Sequence, residues 1–247
     1  MKILSWNIGT GSGYTWGHDE IIRSVNDQKP EVIFFQEVPP KPKRIGKSSA
    51  DDRWLDNTFK RDYFVFSSSR LSPNPTRTHA EYLLMTLISR KLINTGFVYE
   101  CRIENFDRFA LICMSPYYAF INIHLKADEF RGGVKNKSHQ KSRKLQILNL
   151  CQFDFSERTV IIGGDFNCEH VDANALLPSN VGHLTAINVI PTNGFSYARG
   201  AGDPHKTLDY VATNRPGEWT STVRMCEPHR NWRNGIHRPI IADITIA

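Results

Sequence analysis

The stretch VIIGGDFN leaves an apolar run through two glycines and then presents Asp165 and Asn167, two residues apart. A carboxylate and a carboxamide at that spacing share one face of a strand if the extended backbone continues through them. Gly163 and Gly164 would let a backbone or a ligand approach closely at the strand end. Asp and Asn also start turns by binding nearby main-chain groups, and the stretch alone leaves both readings open. Four other apolar runs end similarly: Asn7 in KILSWNI, Glu37 in EVIFFQEV, His124 in YYAFINIHL, and His237 just before the last strand in NGIHRPIIADI. A single strand-end His or Glu has a plain structural reading, but five such endings form a chemical set. Hard oxygen donors suit Mg²⁺, which keeps several waters and binds substrate phosphate with few protein ligands. Histidines that titrate near neutrality can protonate a leaving oxygen or steady charge on phosphoryl oxygens. The set suits attack on a phosphate ester, and no Cys/His spacing points to zinc.

The elements that must carry these residues are short strands, including KILSWNI, EVIFFQEV, EYLLMTLIS, RFALICM, YYAFINIHL, TVIIGG, LDYVAT and PIIADITI. Helical periodicity appears in HDEIIRSVNDQ, with Ile21, Ile22 and Val25 on one face. It appears again in SHQKSRKLQILNLCQF, with Leu145, Leu148 and Cys151 on one face. Strands alternate with loops more often than with crossover helices, so hairpins and mostly antiparallel pairing are expected. The Pro- and Gly-rich segments have strand signals on both sides, which predicts one domain over residues 1–247 with long surface loops.

Composition limits the partners. The 247 residues are 40% hydrophobic and 23% charged, ordinary for a chain that buries a sizeable core. Lys and Arg number 31 against 25 acidic residues, a formal charge of +6 that favours a polyanionic partner. RGGVKNKSHQKSRK contains no acid, so Lys135, Lys137, Lys141 and Lys144 are candidate phosphate contacts, against the plain reading of a solvated loop and helix. Five cysteines without paired spacing fit a reducing, cytoplasmic setting, and the opening MKILSWNI does not read as a signal peptide. No apolar run approaches the roughly 20 residues of a spanning helix, so a soluble protein, taken as a monomer, is expected.

Six segments, SWNIG, FFQEV, NIHL, GGDFN, TLDYV and GIHRPI, occur in an order that resembles the endonuclease/exonuclease/phosphatase superfamily, whose members include deoxyribonucleases, apurinic-site endonucleases and tyrosyl-DNA phosphodiesterases. The resemblance spans nearly the whole chain. It implies a four-layer α/β sandwich, two mixed, mostly antiparallel sheets packed face to face and flanked by helices, with the site where strand ends converge. Carried over, Glu37 is the principal metal ligand with Asn7 beside it, and Mg²⁺ is the cofactor with Mn²⁺ as substitute. Asp165 aligns or deprotonates the attacking water, and Asn167 holds a phosphate oxygen. His237 contacts the phosphate across from the metal with Asp209 fixing its tautomer, and His124 lies near the leaving group. Glu81 matches an acid that supports this histidine in the deoxyribonuclease branch, and Arg108 matches a phosphate-contacting arginine. The family's Ser-Asp-His is here Gly235-Ile236-His237, so the carboxylate before the histidine is missing and weaker metal binding is expected.

These readings predict Mg²⁺-dependent hydrolysis of nucleic acid, with DNA favoured. A phosphoesterase acting on a phospholipid, inositol phosphate or small molecule is the alternative enzyme, and a nucleic-acid-binding pseudoenzyme, motivated by Ile236, is the alternative of another class.

Overall fold

The computed structural model describes residues 1–9, 18–38, 54–68, 83–93, 97–102, 109–131, 134–137, 139–177, 187–198, 206–214, 219–223 and 236–245. The elements in chain order begin with β1 (Lys2–Asn7), α1 (His18–Gln28), β2 (Val32–Val38), α2 (Trp54–Phe59), β3 (Tyr63–Ser67), β4 (Leu83–Ser89), β5 (Phe97–Arg102), β6 (Phe109–Met114) and β7 (Tyr118–His124). They continue with β8 (Glu129–Arg131), β9 (Val134–Lys137), α3 (Gln140–Leu150), β10 (Thr159–Asp165), α4 (His170–Leu176), β11 (Asn188–Val189), β12 (Thr192–Asn193) and β13 (Tyr197–Ala198). β14 (Asp209–Thr213), β15 (Trp219–Val223), β16 (Ile236–His237) and β17 (Ile240–Ile244) complete the chain.

One sheet runs β12-β15-β17-β1-β2-β4-β3 and the other β11-β14-β10-β7-β6-β5, with β8/β9 and β13/β16 as separate two-stranded ribbons. In the two large sheets, β1 with β2, β7 with β10, and β12 with β15 are parallel, and the remaining pairings are antiparallel. The central strands are buried on both faces, which explains why they read as nearly continuous apolar runs. On β1, Leu4 and Trp6 pack outward against Ile21 and Val25 of α1 and Leu55 and Phe59 of α2. Ile147 and Leu150 of α3, with Ala173 and Leu176 of α4, cover the outer face of the second sheet at Ile121, Ile123, Val160 and Ile162. Between the sheets lie Ile3, Phe34, Ile88, Phe120, Ile161 and Val211. The layers are therefore helix, sheet, sheet, helix, the four-layer sandwich expected from the sequence.

The inner layer changes character along its length, and that change positions the site. Strand alternation carries the inward positions of β1 from Ile3 to Ser5 and Asn7, and those of β2 from Phe34 to Gln36. The same rule takes β7 from Phe120 to Asn122 and His124, and β10 from Ile161 through Gly163 to Asp165. Apolar packing at one end of the sandwich thus becomes a buried polar cluster at the carboxyl ends of the two parallel strand pairs. The two glycines serve this packing. A Cβ on Gly163 would lie 2.2 Å from the ring of Phe34 in the opposite sheet, and one on Gly164 would lie 1.9 Å from the carbonyl oxygen of Ile123. The close approach at this strand end is made by neighbouring strands of the sandwich.

The face expected for α3 is corrected. Its buried residues are Arg143, Gln146, Ile147 and Leu150, whereas Leu145 is exposed. Apolar spacing misleads here because two polar side chains serve as packing. The Arg143 guanidinium donates to the Lys126 carbonyl at 2.9 Å and to Asp128 at 2.8 Å, and Gln146 Oε1 accepts the Lys126 N–H at 2.9 Å. The helices α2 and α4 are further elements that apolar periodicity does not announce.

Candidate active site

Asp165 stands at the centre of the polar cluster. Its Oδ1 accepts the Asn167 N–H at 2.8 Å, and its Oδ2 accepts from Asn7 Nδ2 at 3.1 Å. The same Oδ2 lies 3.5 Å from His124 Nε2 and 3.6 Å from His237 Nε2. His124 Nε2 is in turn 3.6 Å from Glu37 Oε1. His237 Nδ1 and Asp209 Oδ2 are 2.7 Å apart, a contact that directs Nε2 toward Asp165. Thus Asn7, Glu37, His124, Asp165, Asp209 and His237, drawn from both large sheets and the β13/β16 ribbon, converge on one place. Among them Glu37 is the most exposed, its side chain 17% accessible, and it marks the open side.

Register explains the convergence. Asp165 lies opposite His124 on one neighbouring strand and opposite Asp209 on the other. β10 ends at Asp165, so the extended backbone does not reach Asn167, which takes φ +53°. The turn reading of this stretch is therefore realised together with the polar cluster: Asp165 both starts the turn and faces the site. Asn167 donates from Nδ2 to the Leu125 carbonyl at 2.9 Å, which ties the turn to the residue after His124. Glu37 is also left-handed, at φ +51°, where the β2–β4 register shifts between Phe35 and Val38. A non-glycine residue in that region costs free energy and is held by its surroundings, a feature that concentrates at functional sites.

The electrostatics follow from burial among like charges. Burial pushes the Asp165 carboxyl up to about 7; repulsion from Asp209 adds to this, while His237 and the hydrogen bonds from Asn7 and Asn167 partly offset it. Burial works against charge on His237, but Asp209, Asp165 and Glu37 together outweigh it and raise the imidazole to about 9. A pocket this rich in carboxylates, with one of them held far above its ordinary value, is short of positive charge. Its donors are hard oxygens, so the residues present fit a divalent cation, with Glu37 and Asn7 as the available ligands. Asp165, Asp209 and His237 also bring ligand-capable atoms within 4.8 Å of one another. There, however, Asp209 Oδ2 and His237 Nδ1 are engaged with each other, which makes the pair an orienting dyad.

Some of the expected residues lie elsewhere. Glu81 and Arg108 lie outside the described residues. Lys135 and Lys137 are on β9, and Lys141 and Lys144 are exposed on α3. Ile236 pairs with Ala198 in the ribbon that presents His237. Asp243, the acid nearest to Ile236 in the following strand, pairs with Lys2, five residues before Asn7 on β1, and so lies away from the cluster. Sequence reasoning missed three supports of the cluster. The Tyr197 ring lies 4.7 Å from the His237 ring, and Trp6 Nε1 donates to the His237 carbonyl at 3.2 Å. Asn122 joins the two sheets through the carbonyls of Phe35 and Met85. A carboxamide at an inward position between Phe120 and His124 was the available signal for the last of these.

The chain belongs to the endonuclease/exonuclease/phosphatase family, whose model matches residues 4–230. Its fold is similar to that of truncated TDP2 from Caenorhabditis elegans, with 17% identity over 98% of this chain and 95% of that one and a TM-score of 0.62. It is similar also to D. rerio TDP2 complexed with single-strand DNA product, with 15% identity over 99% of both chains and a TM-score of 0.65. Beta toxin from Staphylococcus aureus shares the fold as well, with 17% identity over 99% of both chains and a TM-score of 0.61. At these identities the likeness establishes the fold alone. No curated protein sequence matches the chain.

Proposed function

We propose that this protein is a metal-dependent phosphodiesterase that hydrolyses nucleic acid, with DNA favoured, by in-line attack of water. The observation that carries the reading is the placement of one buried carboxylate oxygen, Asp165 Oδ2, within 3.6 Å of both His124 Nε2 and His237 Nε2. Asp165, raised by burial to about 7, is suited to take a proton from the attacking water near neutral pH. His237, held cationic by the carboxylates around it, faces the same point with Nε2 and can steady negative charge on a phosphoryl oxygen. His124, between Glu37 and Asp165, is placed to serve the leaving oxygen. Asn7 orients Asp165 through its amide, and Gly9 N–H donates to its Oδ1 at 3.0 Å. Mg²⁺ held by Glu37 and Asn7, with Mn²⁺ as a substitute, would neutralise charge on the transferring group. A DNA-bound relative and a surplus of basic side chains support nucleic acid over a lipid or inositol phosphate.

The test is hydrolysis with Mg²⁺ or Mn²⁺ across plasmid, single-stranded DNA, RNA, abasic-site DNA, 5′-tyrosyl DNA and an inositol phosphate panel. Cleavage of at least one nucleic acid, absent with chelator, is expected. Turnover of inositol phosphates alone would contradict the substrate class, and binding without cleavage of any substrate would make the chain a nucleic-acid-binding pseudoenzyme.

A further inference from the structure

We propose that Asn122 is a positioning residue that holds Glu37 in its strained conformation from across the sandwich, an inference that rests on the reading of Glu37 as a metal ligand. Asn122 is fully buried on β7 of one sheet. Its Nδ2 donates to two main-chain carbonyls of the other sheet, Phe35 at 3.0 Å and Met85 at 2.8 Å. These two residues are the last β2–β4 pair before the register shifts, and Glu37 lies within the shift at φ +51°. A bulge disrupts the ladder locally, and a buried carbonyl there needs a donor. One carboxamide supplies both of its hydrogens at this break.

The orientation of that carboxamide is itself fixed. Asn122 Oδ1 accepts from Gln36 Nε2 at 2.8 Å, and the same Nε2 donates to the Phe34 carbonyl at 3.1 Å. Gln36 is fully buried, precedes Glu37, and lies opposite Asn7 in the β1–β2 register. Two residues beyond Asn122 on the same face of β7 is His124, whose Nε2 is 3.6 Å from Glu37 Oε1. The clamp therefore references the Glu37 carboxylate to the strand that also carries His124. An apolar residue at 122 would leave both carbonyls without this donor and remove the restraint that keeps Glu37 left-handed.

The experiment uses the full chain without substrate: Mn²⁺ binding by titration calorimetry, together with crystal structures, for the wild type, Asn122→Leu, Glu37→Gln and the double variant. Asn122→Leu is expected to weaken Mn²⁺ binding by roughly 10–100-fold, the scale seen when a group orienting a metal ligand is removed. Its Glu37 should leave the left-handed region. In the Glu37→Gln background the same change should add little, because its effect runs through that carboxylate. Equal weakening in both backgrounds, or a Glu37 that keeps its conformation in Asn122→Leu, would overturn the proposal. Should the wild type bind no Mn²⁺, the metal reading of Glu37 fails separately, and the Glu37 conformation in the variant crystal structure decides the clamp. If Asn122→Leu does not fold, Gln36→Met, which removes the amide that orients Asn122, is measured in the same way. Loss of folding in both variants would contradict the proposal by making the clamp a requirement of the core and not of Glu37.

Discussion

At the scale of single residues the site is governed by charge held out of water. Asp165 has an ordinary value of 3.8 and rises to about 7 on folding, so folding favours its protonated form. The stability this gives is complete below about 4 and is lost as pH rises through about 7. Asp165→Asn should accordingly melt higher than wild type at pH 8, by roughly 2–4 °C for each kcal/mol relieved in a chain of this size, while turnover falls by more than about 10²-fold. Calorimetry and a rate measurement on the same preparation check both, and a lowered melting temperature would contradict the burial account. His237 has the same sign at higher pH: raised from 6.5 to about 9, it contributes stability that is present below about 6.5 and is lost as pH rises through about 9. In the metal-free protein, titration followed by NMR should show Asp165 ionising near 7 and, as the upper limb, His237 losing its proton near 9. Removing the Asp209 charge with Asp209→Asn should move the upper limb downward, since burial then meets less opposition. A limb that stays near 9 would show that Asp209 does not hold the imidazole cationic.

At the scale of elements, strand ends were legible and their irregularities were not. Apolar runs ending in Asn7, Glu37, His124 and Asp165 could be read because alternation and a polar terminus are local signals. The bulge that turns Glu37 left-handed depends on a carboxamide 85 residues later, and no window around Glu37 contains it. The face of α3 was misread for a related reason, because Arg143 and Gln146 are buried by what they bind and not by their apolarity. The glycine pair offers a test of packing at the strand end. Gly164→Ala would press a methyl group onto the Ile123 main chain at φ +152°, where no flexible group can yield. A sharp fall in melting temperature or loss of soluble protein is expected, and a stable Gly164→Ala protein would contradict the description of β10. The basic stretch on β9 and α3 is tested by changing Lys135, Lys137, Lys141 and Lys144 together to Gln. If all four contact duplex phosphates, the log–log salt slope of DNA binding should flatten by about 0.9 per lost contact. An unchanged slope would assign these lysines to a solvated face.

For the whole molecule, the sandwich carries a gradient in its inner layer, from Ile3, Phe34 and Phe120 to Asn7, Gln36 and His124, that ends in a buried polar cluster. That gradient could be anticipated in outline, since ordered motifs spanning the chain resembled a family whose fold brings strand ends together. The contacts of Trp6 and Tyr197 with His237 could not be anticipated, because each joins segments distant in sequence, whereas Asn122 was marked by sharing a strand face with His124. The central claim is that this centre cleaves phosphodiesters through Asp165. It is tested most directly by single-turnover cleavage of an end-labelled DNA strand with Mg²⁺, wild type against Asp165→Asn, once circular dichroism has shown both to be folded. The account predicts cleavage by the wild type and a rate lower by more than about 10²-fold in the variant. Equal rates in the two proteins, or an intact strand with folded wild type at saturating Mg²⁺, would contradict it.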